Sequence, residues 1–135
     1  MAGKDLEKQN LMVKAHAVAH LIAPALHNNY QLAISLAIAN IQKLKKHYHL
    51  KMINEEDVQR ISHYLLQAIP KWHVGGVPLW LINQKFNTSE SILILLHTKQ
   101  TFVLKKTAKA VLVQFECLHQ QTFKIWCPQK FYVAF

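Results

Sequence analysis

Near the middle of the chain, Trp72-His73-Val74-Gly75-Gly76-Val77-Pro78 separates two kinds of hydrophobic pattern. Adjacent glycines permit positive φ and a tight reversal. Upstream, apolar residues recur at steps of three and four, the period of a helix packed on one side. Downstream they come in short runs and alternations, the pattern of strands. A chain of 135 residues has room for one compact domain, or two very small subdomains sharing a core. The break predicts a helical subdomain over residues 1–74 and an antiparallel β subdomain over residues 77–135.

Three helices are expected before the break. The first runs from about Glu7 to Ala23, with a stripe of Leu11, Ala15, Val18, Leu21 and Ile22 and with Lys14 beside it. Pro24 ends it, and His27-Asn28-Asn29 reads as a turn. The second runs from about Asn29 to His47, capped by Asn28 or Asn29. Its face is Tyr30, Ala33, Ile34, Ala37, Ile38, Ile41 and Leu44, widened by Leu32 and Leu36. The third opens at Asn54, where Glu55, Glu56 and Asp57 sit at the positive end of the helix dipole. Val58, Ile61, Leu65 and Ile69 form its stripe, and Pro70 stops it.

After the break the expected strands are about Leu79–Gln84, Ser91–Thr98, Thr101–Lys106, Ala108–Cys117 and Thr122–Cys127, with a short piece at Phe131–Ala134. Asn87-Thr88-Ser89, Lys99-Gln100 and His119-Gln120-Gln121 read as turns between them. Neither side of Ala108–Phe115 is cleanly polar, which predicts a central strand or one covered on both faces. The fold class is α+β: a three-helix N-terminal part packed on a small antiparallel, or barrel-like, sheet.

Charge narrows the function. Sixteen Lys and Arg stand against seven Asp and Glu, a formal +9. The excess lies in residues 1–52 and 77–135, each with seven lysines and two acids. Such a balance favours polyanionic or acidic partners. Arg60 is the one arginine. Arginine is the usual bidentate reader of guanine, so a lysine surface suits charge attraction better than sequence reading. Nine histidines add charge below about pH 6.5 and predict tighter polyanion binding in mild acid.

Catalytic patterns are not found. Ser35, Ser62, Ser89 and Ser91 lack a nucleophile elbow, and no glycine loop cradles a phosphate. Three of the seven acids, Glu55, Glu56 and Asp57, cluster at one helix start, where the dipole explains them. A non-enzyme without cofactor is expected. His16 and His20 are spaced i, i+4, which can ligate a metal, but no glutamate lies between them and no third ligand is indicated, so no metal is expected. Cys117 and Cys127 read as buried thiols, with a disulfide left open. The first ten residues carry no secretory pattern, and no segment reaches the ~20 apolar residues of a membrane span. A cytoplasmic protein with no membrane partner is expected.

What remains is lysine interleaved with aromatics on strands: Phe102, Lys105, Lys106, Lys109, Phe115, Phe123, Lys124, Trp126 and Lys130. Such a surface can stack bases and hold phosphates. The competing assignment puts the aromatics in the core and the lysines at protected sheet edges. It is preferred for Phe115, Phe123 and Trp126. In the helical part, Lys14, His16 and His20 share one helix, and Lys43, Lys45 and Lys46 crowd the end of the next. The helix dipole alone accounts for that second cluster.

Two segments carry a resemblance. Val13-Lys14-Ala15-His16 with His20, followed by Asn29-Tyr30 and Ala33-Ile34-Ser35-Leu36-Ala37, resembles an N-terminal helical hairpin in small proteins of phages and conjugative elements. His20 stands where that pattern has lysine, and Asn29 where it has aspartate. Lys109-Ala110-Val111-Leu112-Val113 with Ile125-Trp126-Cys127-Pro128-Gln129-Lys130 resembles a β-hairpin module of the same elements, with Gln129 interrupting its Pro-Lys pair. The resemblance implies a mobile-element accessory protein in a bacterial host. Proteins of that kind often inhibit host defence, including CRISPR–Cas nucleases. The implied function is a non-enzymatic inhibitor that binds an effector, its guide RNA or its target DNA and blocks nucleic-acid engagement. The alternative is an accessory protein that binds DNA or RNA directly. Candidate contact residues are Lys14, His16, His20, Lys43, Lys45, Lys46, Lys105, Lys106, Lys109, Lys124 and Lys130.

Overall fold

A computed structural model describes residues 2–134. The chain is α+β, with helices in the N-terminal part and a three-stranded antiparallel sheet at the C-terminal end. It divides into two compact units, Met1–Ile69 and Pro70–Phe135.

The first unit is three helices: α1 (Ala2–Ile22), α2 (Tyr30–Tyr48) and α3 (Glu55–Ala68). Helix α1 packs against both others. Its buried stripe is Ala15, Val18, Ala19 and Ile22, at steps of three and four. Leu21, expected in that stripe, is exposed instead, and Ala19 takes its place. The buried centre of α2 is Leu32, Ala33, Leu36, Ala37 and Ile41, while Ile34 and Ile38 are only half-buried. Alanines on both helices remove side-chain bulk, so the two backbones approach closely. A 3-10 turn over Ala23–Leu26 and left-handed His27 and Asn28 reverse the chain.

Polar groups fix where these helices start. The Asn29 side chain accepts from the Leu32 amide at 3.2 Å. Asn54 and Asp57 form a reciprocal capping box, with both bonds at 2.9 Å. Asn10 clamps the α2–α3 connection onto α1: its Nδ2 donates to the Ile53 carbonyl, and its Oδ1 accepts from the Ile53 amide.

The second unit begins with a two-residue hairpin, β1 (His73–Val74) and β2 (Val77–Pro78). Gly75 and Gly76, with φ of 57° and 86°, close it as the type I′ turn that strand twist favours. A Cβ on Gly76 would lie 2.5 Å from the Val133 carbonyl oxygen and against the Tyr132 ring. Two short helices follow, α4 (Leu79–Lys85) and α5 (Thr88–His97). They replace the strands expected at Leu79–Gln84 and Ser91–Thr98. Asn87, expected in a turn, is the N-cap of α5 in a capping box with Glu90. Leu79, Leu81, Ile82, Ile94 and Leu95 are buried, a core demand that either secondary structure could have met.

The sheet is open, in the order β3-β4-β5, rather than barrel-like. Its strands are β3 (Thr98–Lys106), β4 (Ala110–Cys117) and β5 (Thr122–Pro128). Lys99 and Gln100, expected as a turn, lie inside β3, where the register shifts between Thr98 and Gln100. A second shift between Val103 and Lys105 leaves Leu104 as the extra residue of a bulge. Strand β4 is central, as its two-sided pattern predicted. One side of it, Val111, Val113, Phe115 and Cys117, is buried, and α5 packs on this strand. Cys127 pairs with Val111, so Cys117 lies six residues along β4 from that row, about 20 Å away at the usual strand rise. That separation rules out a bond between the two thiols, and both are free. The last piece, Phe131–Ala134, is not a strand: residues 129–131 form a turn and the rest is irregular.

Candidate nucleic-acid interface

Register decides which strand residues share the open side of the sheet. Residues directly opposite on neighbouring antiparallel strands point the same way. One row is Lys105, Leu112 and Trp126 across β3, β4 and β5. The row two residues along is Phe102, Gln114 and Lys124. Each row thus carries a lysine on one edge strand and an aromatic on the other, in opposite order. The next row is Gln100, Glu116 and Thr122. Its carboxylate marks one end of the basic area.

These aromatics are available. Trp126 is 46% exposed and Phe102 41%, while Leu112 and Gln114 between them are half-buried. Lys105 and Lys124 are exposed. Two inter-strand spacings and a two-residue offset put the Trp126 and Phe102 positions about 12 Å apart. The surface therefore offers two separate flat rings, each with an ammonium group at the far end of its row. Bases stack on such rings without regard to sequence, and phosphates are attracted by the lysines. The expectation that Trp126 belongs to the core is corrected here. Phe115 is fully buried, and Phe123 packs edge-on against Phe86 at 5.8 Å between centroids. Trp126 takes the other side of the pleat with Lys124.

The other candidate lysines of this unit are dispersed. Lys106 is paired with Val111 in the row of Cys127, on the opposite side from Lys105, and is exposed at the strand end. Lys109 lies in the β3–β4 turn, which Thr107 closes by accepting from the Ala110 amide at 3.0 Å. Gln129, the residue that interrupts the Pro-Lys pair, ties β5 to that turn: its amide donates to the Lys109 carbonyl at 2.9 Å and its Nε2 to the Thr107 carbonyl at 3.0 Å. Lys130 stands 4.9 Å over the Phe131 ring, which meets Trp80 edge-on at 5.0 Å.

In the helical unit, Lys14 pairs with Glu55 at 3.3 Å, so its charge is partly neutralised by α3. His16 and His20 both pack on Tyr30, with ring centroids at 5.7 and 5.1 Å, and the Tyr30 hydroxyl is hydrogen-bonded to His16 Nδ1. Among the described residues no third His, Cys, Asp or Glu joins them in a metal-binding group. Lys43 and Lys46 are exposed and Lys45 half-buried at the end of α2. Lys43 also lines a groove between α2 and α3. His47, Tyr48, Arg60 and Tyr64 line the same groove and were not singled out in the sequence as contact residues. Their convergence depends on how two helices pack, which no local spacing encodes.

Trp126 did carry a signal. Phe123, Ile125 and Cys127 form the more apolar alternation of β5, and Lys124, Trp126 and Pro128 the other. Parity alone groups Trp126 with the lysine. Among the described residues no helix is long and apolar enough to cross a membrane. In comparison with known proteins, no family model, curated protein or solved structure matches the chain.

Proposed function

We propose that the protein binds single-stranded nucleic acid without catalysing a reaction, through the open side of β3–β4–β5. The observation that carries this reading is the pair of rows, Lys105–Leu112–Trp126 and Phe102–Gln114–Lys124, with both aromatics exposed. A duplex hides its base faces, so exposed rings favour unpaired strands. Lysine in place of arginine favours phosphate attraction over base reading.

The test is binding of a labelled oligothymidine to the full chain across a salt series. Lys105 and Lys124 alone predict a log–log slope of about −1.4, and these two with Lys106, Lys109 and Lys130 about −3.5. Lys105→Glu/Lys124→Glu abolishes the slope that these two residues supply. A salt-independent interaction, or one that this double variant leaves intact, refutes the reading.

The second reading, a phage or mobile-element inhibitor of a CRISPR–Cas effector in the host cytoplasm, rests on the sequence resemblance. One observation favours keeping it. The second of the two resembling segments, Lys109–Val113 with Ile125–Lys130, includes β4 and β5 residues, so that part of the resemblance and the platform share the same strands. A purified effector separates the readings. The inhibitor binds it far more tightly than free oligonucleotide and blocks target binding or cleavage. The direct binder shows no such preference.

A further inference from the structure

The helical unit carries a groove of about 700 Å³ between α2 and α3. Leu44 and Ile61 lie along it, and each helix adds an exposed ring, Tyr48 from α2 and Tyr64 from α3. Both tyrosines are 62% exposed. Lys43 and Arg60 add cations to the same lining, and His47 adds an imidazole ring. His47 meets Tyr48 edge-on at 4.6 Å, which props that ring. Glu56 lies 3.7 Å from Arg60, with both side chains largely in solvent, where such a pair is weak, and Glu55 and Asp57 share the first turn of α3 with Glu56.

Charge complementarity selects the occupant. No Asp or Glu occurs between Glu7 and Glu55, a stretch that includes all of α2 and the connection to α3. Lys43, Lys45, Lys46 and Lys51 all fall within its last part. A polyanion is attracted to such a surface, and a polyanion with flat faces can also use the two rings. An acidic amphipathic helix would need a row of apolar pockets at helical spacing. The groove offers Leu44 and Ile61, and beside them Asn40, three rings and two cations.

We infer that the α2–α3 groove is a second single-stranded nucleic-acid site, separate from the sheet and built from the same chemistry in a different architecture. Tyr48 and Tyr64 stack bases, and Lys43 and Arg60 hold phosphates. The inference extends the reading given for the sheet and stands or falls by separate variants.

The experiment counts short oligothymidines bound per full-length chain, by calorimetric titration at low salt. The oligonucleotide is chosen too short to occupy more than one surface. Wild type is expected to bind two. Tyr48→Ala/Tyr64→Ala, at exposed positions and checked for unchanged helicity, is expected to bind one. Phe102→Ala/Lys124→Glu is expected to bind one, at the groove. Affinity at the groove should fall about tenfold or more on removing the rings. If the tyrosine variant still binds as many as wild type, the groove inference is wrong and the sheet reading survives. If wild type binds one and the tyrosine variant none, the groove is a site and the sheet is not. If polyglutamate binds at the tyrosines while oligothymidine does not, the occupant is an acidic protein and the inference is overturned. A wild type that binds no oligothymidine overturns both.

Discussion

Replacing Trp126 by leucine separates a contact role from a packing role. A tryptophan side chain offers about 250 Å², and 46% of Trp126 remains in solvent, so roughly half that area is hidden. At about 25 cal/mol per Å² the hidden part stabilises by at most ~3 kcal/mol. Leucine recovers about half of it, which leaves a cost of about 1–1.5 kcal/mol. For a unit of this size that lowers Tm by about 4–12 °C. Base–aromatic stacking is worth about 1–3 kcal/mol, so the Kd for oligothymidine should rise about 5- to 150-fold. Trp126→Phe keeps a stacking face and should lose much less. Phe115→Leu is the counterpart on the buried side: Phe115 is fully enclosed. That variant should lower Tm while leaving the affinity of the folded protein unchanged. Fluorescence anisotropy below each variant's melting range reads the affinity, and thermal scans read the stability. An unchanged Kd for Trp126→Leu, with the variant folded, refutes the stacking role. Equal loss of affinity in Phe115→Leu would show that the effect is general loosening of the sheet.

Three further outcomes test the framework. Gly76→Ala places a Cβ at φ of 86° and 2.5 Å from the Val133 carbonyl, and should cost about 2 kcal/mol or more by urea denaturation; a neutral result would mean the hairpin does not hold the C-terminal segment. Ser62 is buried, and its hydroxyl has no partner among the described residues, so Ser62→Ala should leave the urea midpoint unchanged or raise stability by up to about 1 kcal/mol; a clear loss would reveal a bond to that hydroxyl. Burial pushes the Cys127 thiol above its ordinary value. The unfolded chain therefore ionises first, and the stability contributed by the neutral thiol is present below about pH 8.5 and lost as pH rises beyond it. The Tm difference between wild type and Cys127→Ala should shift against wild type between pH 8 and pH 10, and a constant difference would contradict it.

Helices α1, α2 and α3 could be read from the sequence because each is long enough for a period of three and four to repeat, and because Asn29 and Asn54 announce two of their starts. Helices α4 and α5 could not be separated from strands on apolar content. Leu79-Trp80-Leu81-Ile82 and Ile92-Leu93-Ile94-Leu95-Leu96 are short runs that satisfy either pattern. The Asn87-x-x-Glu90 spacing of a capping box was the overlooked clue. The same holds for the site. Alternation in β5 put Trp126 beside Lys124, but the preference for burying tryptophan outweighed it. The bulge at Leu104, which returns Lys105 to the row of Trp126, is a tertiary feature with no local signature.

The chain has three tryptophans, and their indole N–H signals offer one site-resolved experiment. Trp126 lies on the open side of the sheet, Trp80 is on α4 against Phe131, and Trp72 precedes the glycine hairpin. In a ¹⁵N-correlated NMR titration with oligothymidine, the Trp126 indole signal should move progressively to saturation while those of Trp72 and Trp80 stay in place. A Trp126 signal that is unmoved when the oligonucleotide is fully bound contradicts a nucleic-acid platform on β3–β4–β5.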